Sequence, residues 1–307
     1  MGGVDVSGIR RSAFAVALLM VLGSCTTSPS GSPVAASTTS SAPPPVERVL
    51  VSLGDSYATG YRPAAAGAPA GSSRDGFATL VAERSGLKLI NVGCSGATSG
   101  QLRDQSDCAP ANRAVDAADP AGSSQLDAAV RALRDNKGRV GLVTVVIGGN
   151  DLAPCAVVAD PVGCATDVVA GIRANLAGVL PVLRQAAGDA PIVGLTYPDV
   201  FLGAWVSPSF SNGKELARLS VPLFRDGLNA GLKAEYEQVG AKFVDVTAAT
   251  GAYGPLTETT QDPTYGPIPT PVARVCALTY FCSNTDVHPT PAGHQEIAAA
   301  VLAATGR

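Results

Sequence analysis

The chain has 307 residues, 46% of them hydrophobic, with 34 Gly, 23 Pro and a formal net charge of −3. This composition fits one large, loop-rich globular domain and excludes disordered and fibrous classes. No run of Lys or Arg forms a phosphate-binding footprint, so nucleic-acid binding is disfavoured; from Cys25 onward 20 basic side chains face 24 acidic ones.

The first 46 residues differ from the rest. Arg10 and Arg11 precede an apolar run from Ser12 to Leu22, too short to span a hydrocarbon core of ~30 Å but suited to the apolar region of a signal peptide. The run ends in Leu22-Gly23-Ser24-Cys25, which resembles the lipobox of bacterial lipoproteins, where the cysteine thiol is lipidated after cleavage. A leader over residues 1–24, lipidation at Cys25 and a membrane anchor on the extracytoplasmic face are expected; a plain secretory signal is the alternative. Residues 25–46 are nearly all Ser, Thr, Ala, Gly and Pro. They cannot bury enough apolar surface to offset their ordering entropy, and are expected to form a tether to a domain at 47–307.

Within that domain, short β-branched runs alternate with helical patterns, the signature of βαβ units around a parallel sheet. Strands are expected at Arg48 to Leu53, Lys88 to Val92, Leu142 to Ile147, Pro191 to Thr196 and Lys242 to Val246. Between the first two, Asp75 is expected to cap a helix carrying Phe77, Leu80 and Val81 and stopping at Gly86. Leu126, Ala129, Val130 and Leu133 mark the next helix. Val169, Ile172, Leu176, Val179 and Leu183 mark a third, with a kink at Pro181. A fourth is expected to start near Ser220, with Pro222 in its first turn and Phe224, Leu228, Leu232 and Tyr236 along one face. The last opens with Thr290 as N-cap and Pro291 at the first helical position. Residues 250 to 275, rich in Gly, Pro, Thr and Tyr, read as an insertion rather than core. Five strands and five helices make an α/β fold, a three-layer α/β/α sandwich with its functional loops at the carboxyl ends of the strands.

Six cysteines remain after Cys25: Cys94, Cys108, Cys155, Cys164, Cys276 and Cys282. An even number in an exported chain points to disulfides. Of the 15 possible pairings, sequence-adjacent pairs, each closing a short loop, are the simplest. With no Cys-x-x-Cys and two histidines, no metal is expected.

Four strand-following segments can carry chemistry. Ser56, in Gly54-Asp55-Ser56, stands where the N-H groups of a following helix can face a developing oxyanion. In Gly93-Cys94-Ser95-Gly96-Ala97-Thr98, glycine lets the backbone approach a ligand and offer its N-H. In Gly148-Gly149-Asn150-Asp151, the Asn150 amide can donate to a negative charge. In Asp286-Val287-His288-Pro289, His288 suits a general base near neutral pH. The other histidine, His294, falls inside the last helix and reads as surface or packing.

The order serine, glycine, asparagine, histidine, each after a different sheet element, resembles the GDSL/SGNH hydrolases. Their four blocks are similar to Val51 to Tyr57, Asn91 to Thr98, Val145 to Leu152 and Asp286 to His288. The resemblance implies a flavodoxin-like five-stranded parallel sheet and a cofactor-free esterase, lipase, thioesterase or carbohydrate deacetylase. It further implies Ser56 as nucleophile, His288 as base, and an oxyanion hole of the Ser56 and Gly96 N-H groups with the Asn150 side chain. The family usually places its acid three residues before the histidine. Here that position is Thr285, and Asp286 stands two before, so either the Asp286 carboxylate or the Thr285 carbonyl is expected to orient His288. The nucleophile-elbow motif Gly-x-Ser-x-Gly of ordinary α/β-hydrolases is absent.

The expected activity is hydrolysis of a small-molecule or lipid carboxylic ester by a monomer. Aromatic stretches at Trp205 to Phe210 and 253 to 269 are candidate walls for an acyl pocket. The alternatives are an O-acetyl esterase of cell-envelope polysaccharide and a non-catalytic envelope-binding lipoprotein; a binding module has no need of Ser56, Asn150 and His288 together.

Overall fold

The computed structural model of the chain describes residues 46–64 and 69–307. The expected leader over 1–24, the expected lipidation site Cys25 and the expected tether as far as residue 45 lie outside the described residues. Five strands, β1 (Val49–Gly54), β2 (Lys88–Asn91), β3 (Val140–Val146), β4 (Ile192–Leu195) and β5 (Lys242–Val244), form one sheet in the order β2-β1-β3-β4-β5. Every neighbouring pair is parallel. β1 and β3 are buried along their whole length, as their continuous apolar runs require of strands covered on both faces. A separate two-stranded ribbon pairs β6 (Thr259–Asp262) with β7 (Gly266–Pro269), antiparallel.

In chain order the α-helices are α1 (Ser56–Thr59), α2 (Phe77–Arg84), α3 (Ser99–Asp104), α4 (Gln125–Asp135), α5 (Gly149–Leu152), α6 (Pro161–Ala187), α7 (Gly213–Pro222), α8 (Ala230–Gln238), α9 (Val246–Ala249), α10 (Thr270–Leu278), α11 (Phe281–Asn284) and α12 (Pro291–Thr305). α2 packs on α12, while α6 packs on α4 and α8, giving the helical layers of an α/β/α sandwich. The apolar stripe of α6 supplies Ile172, Leu176, Leu180 and Leu183 to the core, all essentially inaccessible. Pro181 lies inside that helix.

Three sequence expectations are corrected. The N-cap of α2 is Gly76, with no side-chain cap; the Asp75 carboxylate instead accepts from Arg62 at 3.2 Å. The orphan N-H of Phe77 donates to His294 Nδ1 at 3.2 Å, so His294 is a buried packing residue rather than a surface one. The fourth helical segment starts at Gly213, and Pro222 ends its first part. Proline offers no N-H and its ring opposes the carbonyl four residues back. The chain widens there into a π-helical turn, Leu223–Asn229, before α8. Finally, the segment 250–275 is not coreless: Ala252, Ile268, Val272 and Val275 close a second apolar cluster with Leu202 and Ala217.

Burial, with the nearby charge of His288, pushes His294 down to about 4. In the unfolded chain a histidine titrates near 6.5. The folded state therefore binds the proton less readily, and stability contributed by neutral His294 is present above about pH 6.5 and lost as pH falls toward 4, on the order of 3 kcal/mol at most. Buried Asp55 and Asp199 are raised to about 6 and about 7 by desolvation and act in the opposite sense over this range. The His294 contribution is thus read by difference: the melting-temperature advantage of wild type over His294→Gln should narrow between pH 6.5 and 4, and a constant advantage would contradict the assignment.

Candidate active site

The loops after β1, β2 and β3 meet at the carboxyl edge of the sheet. Gly54 ends β1 at φ +142°, and a Cβ there would lie 2.0 Å from the Val146 carbonyl oxygen at the end of β3. Only glycine allows this approach. The Gly54 N-H is held by Gln125 Oε1 at 2.8 Å and the Asp55 N-H by the Val146 carbonyl at 3.1 Å, which fixes where the chain leaves the strand.

Asp55 then caps α1, accepting the Tyr57 N-H at 2.9 Å on Oδ1 and the Tyr197 hydroxyl at 2.6 Å on Oδ2. Its raised pKa comes first from burial, opposed by these hydrogen bonds and by His288. Ser56 opens α1 and is 8% exposed. No acceptor inside the protein is paired with the Ser56 or the Gly96 N-H among the described residues.

The loop after β2 is pinned to α1. Asn91 donates to the Ala58 carbonyl at 2.7 Å and accepts the Gly93 N-H at 3.0 Å. The Thr59 and Ser95 hydroxyls are 2.8 Å apart. Gly96 is exposed, at φ +84°. Thr98 and Gln101 then close a capping box at the start of α3.

After β3, Asn150 lies in α5, and its Nδ2 donates to the Ala97 carbonyl at 2.9 Å. The amide keeps a second N-H free of that bond. The Asp151 carboxylate accepts the Ser99 N-H at 2.8 Å and the Ser99 hydroxyl at 2.6 Å, locking the Asn150 turn to the Gly96 loop.

His288 arrives from the far end of the chain. One oxygen of Asp286, Oδ1, lies 2.8 Å from His288 Nδ1 and accepts the His288 backbone N-H at 2.9 Å. Burial disfavours the Asp286 carboxylate, but the bonds to the His288 ring and N-H and the ring's charge together outweigh it and hold the carboxyl below its usual range. The preceding residue, Thr285, sits in the left-handed region at φ +55°, which turns the chain so that the carboxylate can fold back across one residue. The Tyr57 hydroxyl donates to the Val287 carbonyl at 2.6 Å, and the Tyr61 ring lies 4.4 Å from the imidazole.

Ser56, Asn150 and Val287 line one cleft whose apolar wall is Leu152, Phe201, Phe224 and Leu228. Gly96 lines a neighbouring hollow with Gln101, Gln105 and Arg113; the Asn150–Ala97 bond joins its loop to the cleft. Among the described residues no hydrogen bond joins Ser56 Oγ to the His288 ring, whose hydrogen-bond partner is Asp286. The sequence expectation for the wall is met only beside the cleft. Trp205 lies outside it, under Lys214 and Arg218 at 5.5 and 4.9 Å from its ring centroid, and residues 253–269 contribute nothing to its lining, while Phe210 lines an adjoining groove together with Leu152 and Phe201. Tyr57 and Asp151 fall inside the motif blocks without their hydrogen-bonding roles being marked by them; Tyr197 carries no local signal.

The structure joins Cys94 to Cys108, Cys155 to Cys164 and Cys276 to Cys282. The first holds the Gly96 loop, the second the segment after Asn150, and the third the turn that leads to His288. With a sequence separation of 6, the third should stabilise the fold by about 2 kcal/mol through the unfolded state. Urea titration of the Cys276→Ser/Cys282→Ser double variant should show that loss, and no change in midpoint would refute it.

The sequence profile of the GDSL-like lipase/acylhydrolase family matches residues 52–296. Among solved structures, the chain is similar to the extracellular lipase of Streptomyces rimosus at 19% identity and a TM-score of 0.51, covering 84% of this chain and 99% of that one. It is also similar to phospholipase A1 of Streptomyces albidoflavus NA297 at 16% identity and a TM-score of 0.50, covering 84% and 99%. At these identities the likeness is one of fold. No curated protein sequence matches the chain.

Proposed function

The chain belongs to the GDSL-like lipase/acylhydrolase family, and from that premise we propose that it is a serine esterase acting through an acyl-Ser56 intermediate. The observation that carries the reading is the Asp286 carboxylate on His288 Nδ1 at 2.8 Å. A proton held on Nδ1 by that contact leaves Nε2 with its lone pair, the form of imidazole a general base requires.

In the proposed reaction His288 Nε2 takes the Ser56 hydroxyl proton as Oγ bonds to the ester carbonyl carbon. The oxyanion is met by the Ser56 and Gly96 N-H groups and the Asn150 amide. The carbon–oxygen bond to the alcohol then breaks, and the alcohol leaves with the proton from His288. A water molecule, deprotonated by the same nitrogen, attacks the acyl-Ser56 ester; its collapse releases the acid and returns the proton to Ser56. The Asp286 carboxylate, with its lowered pKa, stays ionised through this cycle and stabilises the imidazolium. The apolar wall beside Ser56 favours an aliphatic acyl group over a polar one. The N-terminal leader pattern and the three disulfides support an exported enzyme with the domain at 47–307, tethered through Cys25.

Ser56→Ala and His288→Ala should each abolish p-nitrophenyl ester hydrolysis with unchanged circular dichroism, and Asn150→Ala should lower turnover on the order of 10²- to 10³-fold. Near-wild-type turnover in all three would discard the mechanism. Asp286→Asn should cost up to about 10⁴-fold in kcat. A loss below about tenfold would leave a Ser56–His288 dyad as the better description.

A further inference from the structure

Helix α1 is one turn long; it carries Ser56 at its start and delivers Tyr61 just past its end. Gly60 closes the helix in the left-handed conformation, at φ +66°. The Gly60 N-H donates to the Tyr57 carbonyl at 3.3 Å and the Tyr61 N-H to the Ser56 carbonyl at 2.9 Å. These two bonds are the Schellman pattern, in which a glycine reverses the chain at a helix end. A Cβ on residue 60 would lie 2.8 Å from Gly76 Cα, so the turn closes only on glycine. The residue after it is thereby tied, through its own N-H, to the carbonyl of the proposed nucleophile.

Tyr61 is held on its far side as well. Ser73 Oγ donates to the Gly60 carbonyl at 2.6 Å, and Arg62 and Gly71 exchange both backbone hydrogen bonds at 3.0 Å. The Tyr61 ring so placed lies 4.4 Å from the His288 ring, centroid to centroid, with 41° between their planes. Tyr57 flanks the same imidazole at 6.2 Å, but its hydroxyl is committed to the Val287 carbonyl and its ring to the edge contact with Tyr197. Tyr57 therefore fixes the loop, and Tyr61 meets the imidazole itself. An aromatic ring attracts a cation within about 6 Å of its centroid, and more strongly where water is excluded. The His288 side chain is 15% exposed, so solvent weakens the attraction little. A neutral imidazole gains less from the ring than an imidazolium does, so the contact favours the charged form through which the proposed reaction passes.

We propose that Tyr61 is a positioning residue for the reaction: its ring holds the His288 imidazole in place and stabilises the imidazolium that forms as Ser56 gives up its proton. The inference rests on the esterase reading above. Other groups act on the same imidazole. Asp286 faces Nδ1 from its own loop, the charge of Asp55 reaches it from the cap of α1, and His294 lies near it from α12. All three, with Tyr57, are present in every variant at Tyr61, so a difference between those variants reads the aromatic contact.

The test compares Tyr61→Phe and Tyr61→Leu with wild type in two measurements. Against p-nitrophenyl acetate, Tyr61→Phe should keep kcat within about twofold, whereas Tyr61→Leu should lower it roughly three- to thirtyfold with KM little changed. Tyr61→Gln takes the place of Tyr61→Leu if that variant shows no cooperative melting. The second measurement is an NMR titration of the histidine ring protons, in which the chain's two histidines are told apart by His294→Gln. The proton should leave the His288 ring at a pH lower by roughly half a unit to one unit in Tyr61→Leu than in wild type or Tyr61→Phe. Wild-type turnover in Tyr61→Leu would overturn the proposal, as would lowered turnover without the NMR difference, which leaves packing as the ring's only part. A Tyr61→Phe protein that falls as far as Tyr61→Leu would give the role to the hydroxyl, and a rise in KM alone would make Tyr61 a substrate contact; either result rejects the assignment. If no protein in the set hydrolyses an ester, the esterase reading fails, and the NMR difference alone decides whether the Tyr61 ring stabilises the imidazolium.

Discussion

The site hangs from the pairing of β1 with β3. In register, Gly54 lies opposite Val146, so close that a methyl group on Gly54 would fall on the Val146 carbonyl oxygen. This contact delivers the Ser56 turn and the Asn150 turn to the same point on the carboxyl edge of a parallel sheet. A strand order that reverses direction of growth beside β1 leaves a crevice there, as doubly wound sheets do. Elements such as α1 and α5 are each a single turn long and have no stability of their own. They persist because the sheet and its loops hold both ends.

The second constraint is a buried polar chain that runs through the first helix. Tyr197 donates to Asp55, Asp55 accepts the Tyr57 N-H, and Tyr57 donates to the Val287 carbonyl. The Tyr57 and Tyr197 rings meet edge to face at 4.9 Å. Inside a low-dielectric interior each of these bonds is strengthened by its neighbours, and each unpaired group would be costly. The position of the His288 loop is thereby coupled to that of Ser56 through side chains that themselves line the cleft. Burial also pushes both phenols well above their ordinary range, keeping them as neutral donors.

Covalent constraint is distributed on the same plan. The three disulfides, with separations of 14, 9 and 6 residues, each close a short loop between neighbouring segments around the site, and none crosses the sheet. The sheet's core, built on β1, β3 and α6, needs no such help, since its large side chains are fully buried. Loops cannot bury comparable surface, so bonds that restrict their unfolded freedom have most effect there.

Much of this is legible in the amino-acid sequence. All five parallel strands, the Thr290–Pro291 start of α12, and the four motif-bearing loops follow from periodicity, capping chemistry and turn residues, which act over a few positions. The close spacing of Asp286 and His288 was legible too, but not which group faces Nδ1. What the sequence did not disclose depends on partners far along the chain. Tyr57 finds Val287 across 230 positions, Phe77 finds His294 across 217 and Asp55 finds Tyr197 across 142. Such pairs arise only when strand order brings distant segments together. For the same reason Asp75 made a plausible local cap and lost to a glycine backed by a remote imidazole. The apolar wall beside Ser56 takes its residues from α5, the turn after β4 and the π turn that follows Pro222, and no local pattern marks them as neighbours. Local sequence determined which segments become strands, helices and reactive turns; the sheet topology alone decided which of them share a cleft, because a parallel sheet juxtaposes residues by crossover and not by sequence proximity.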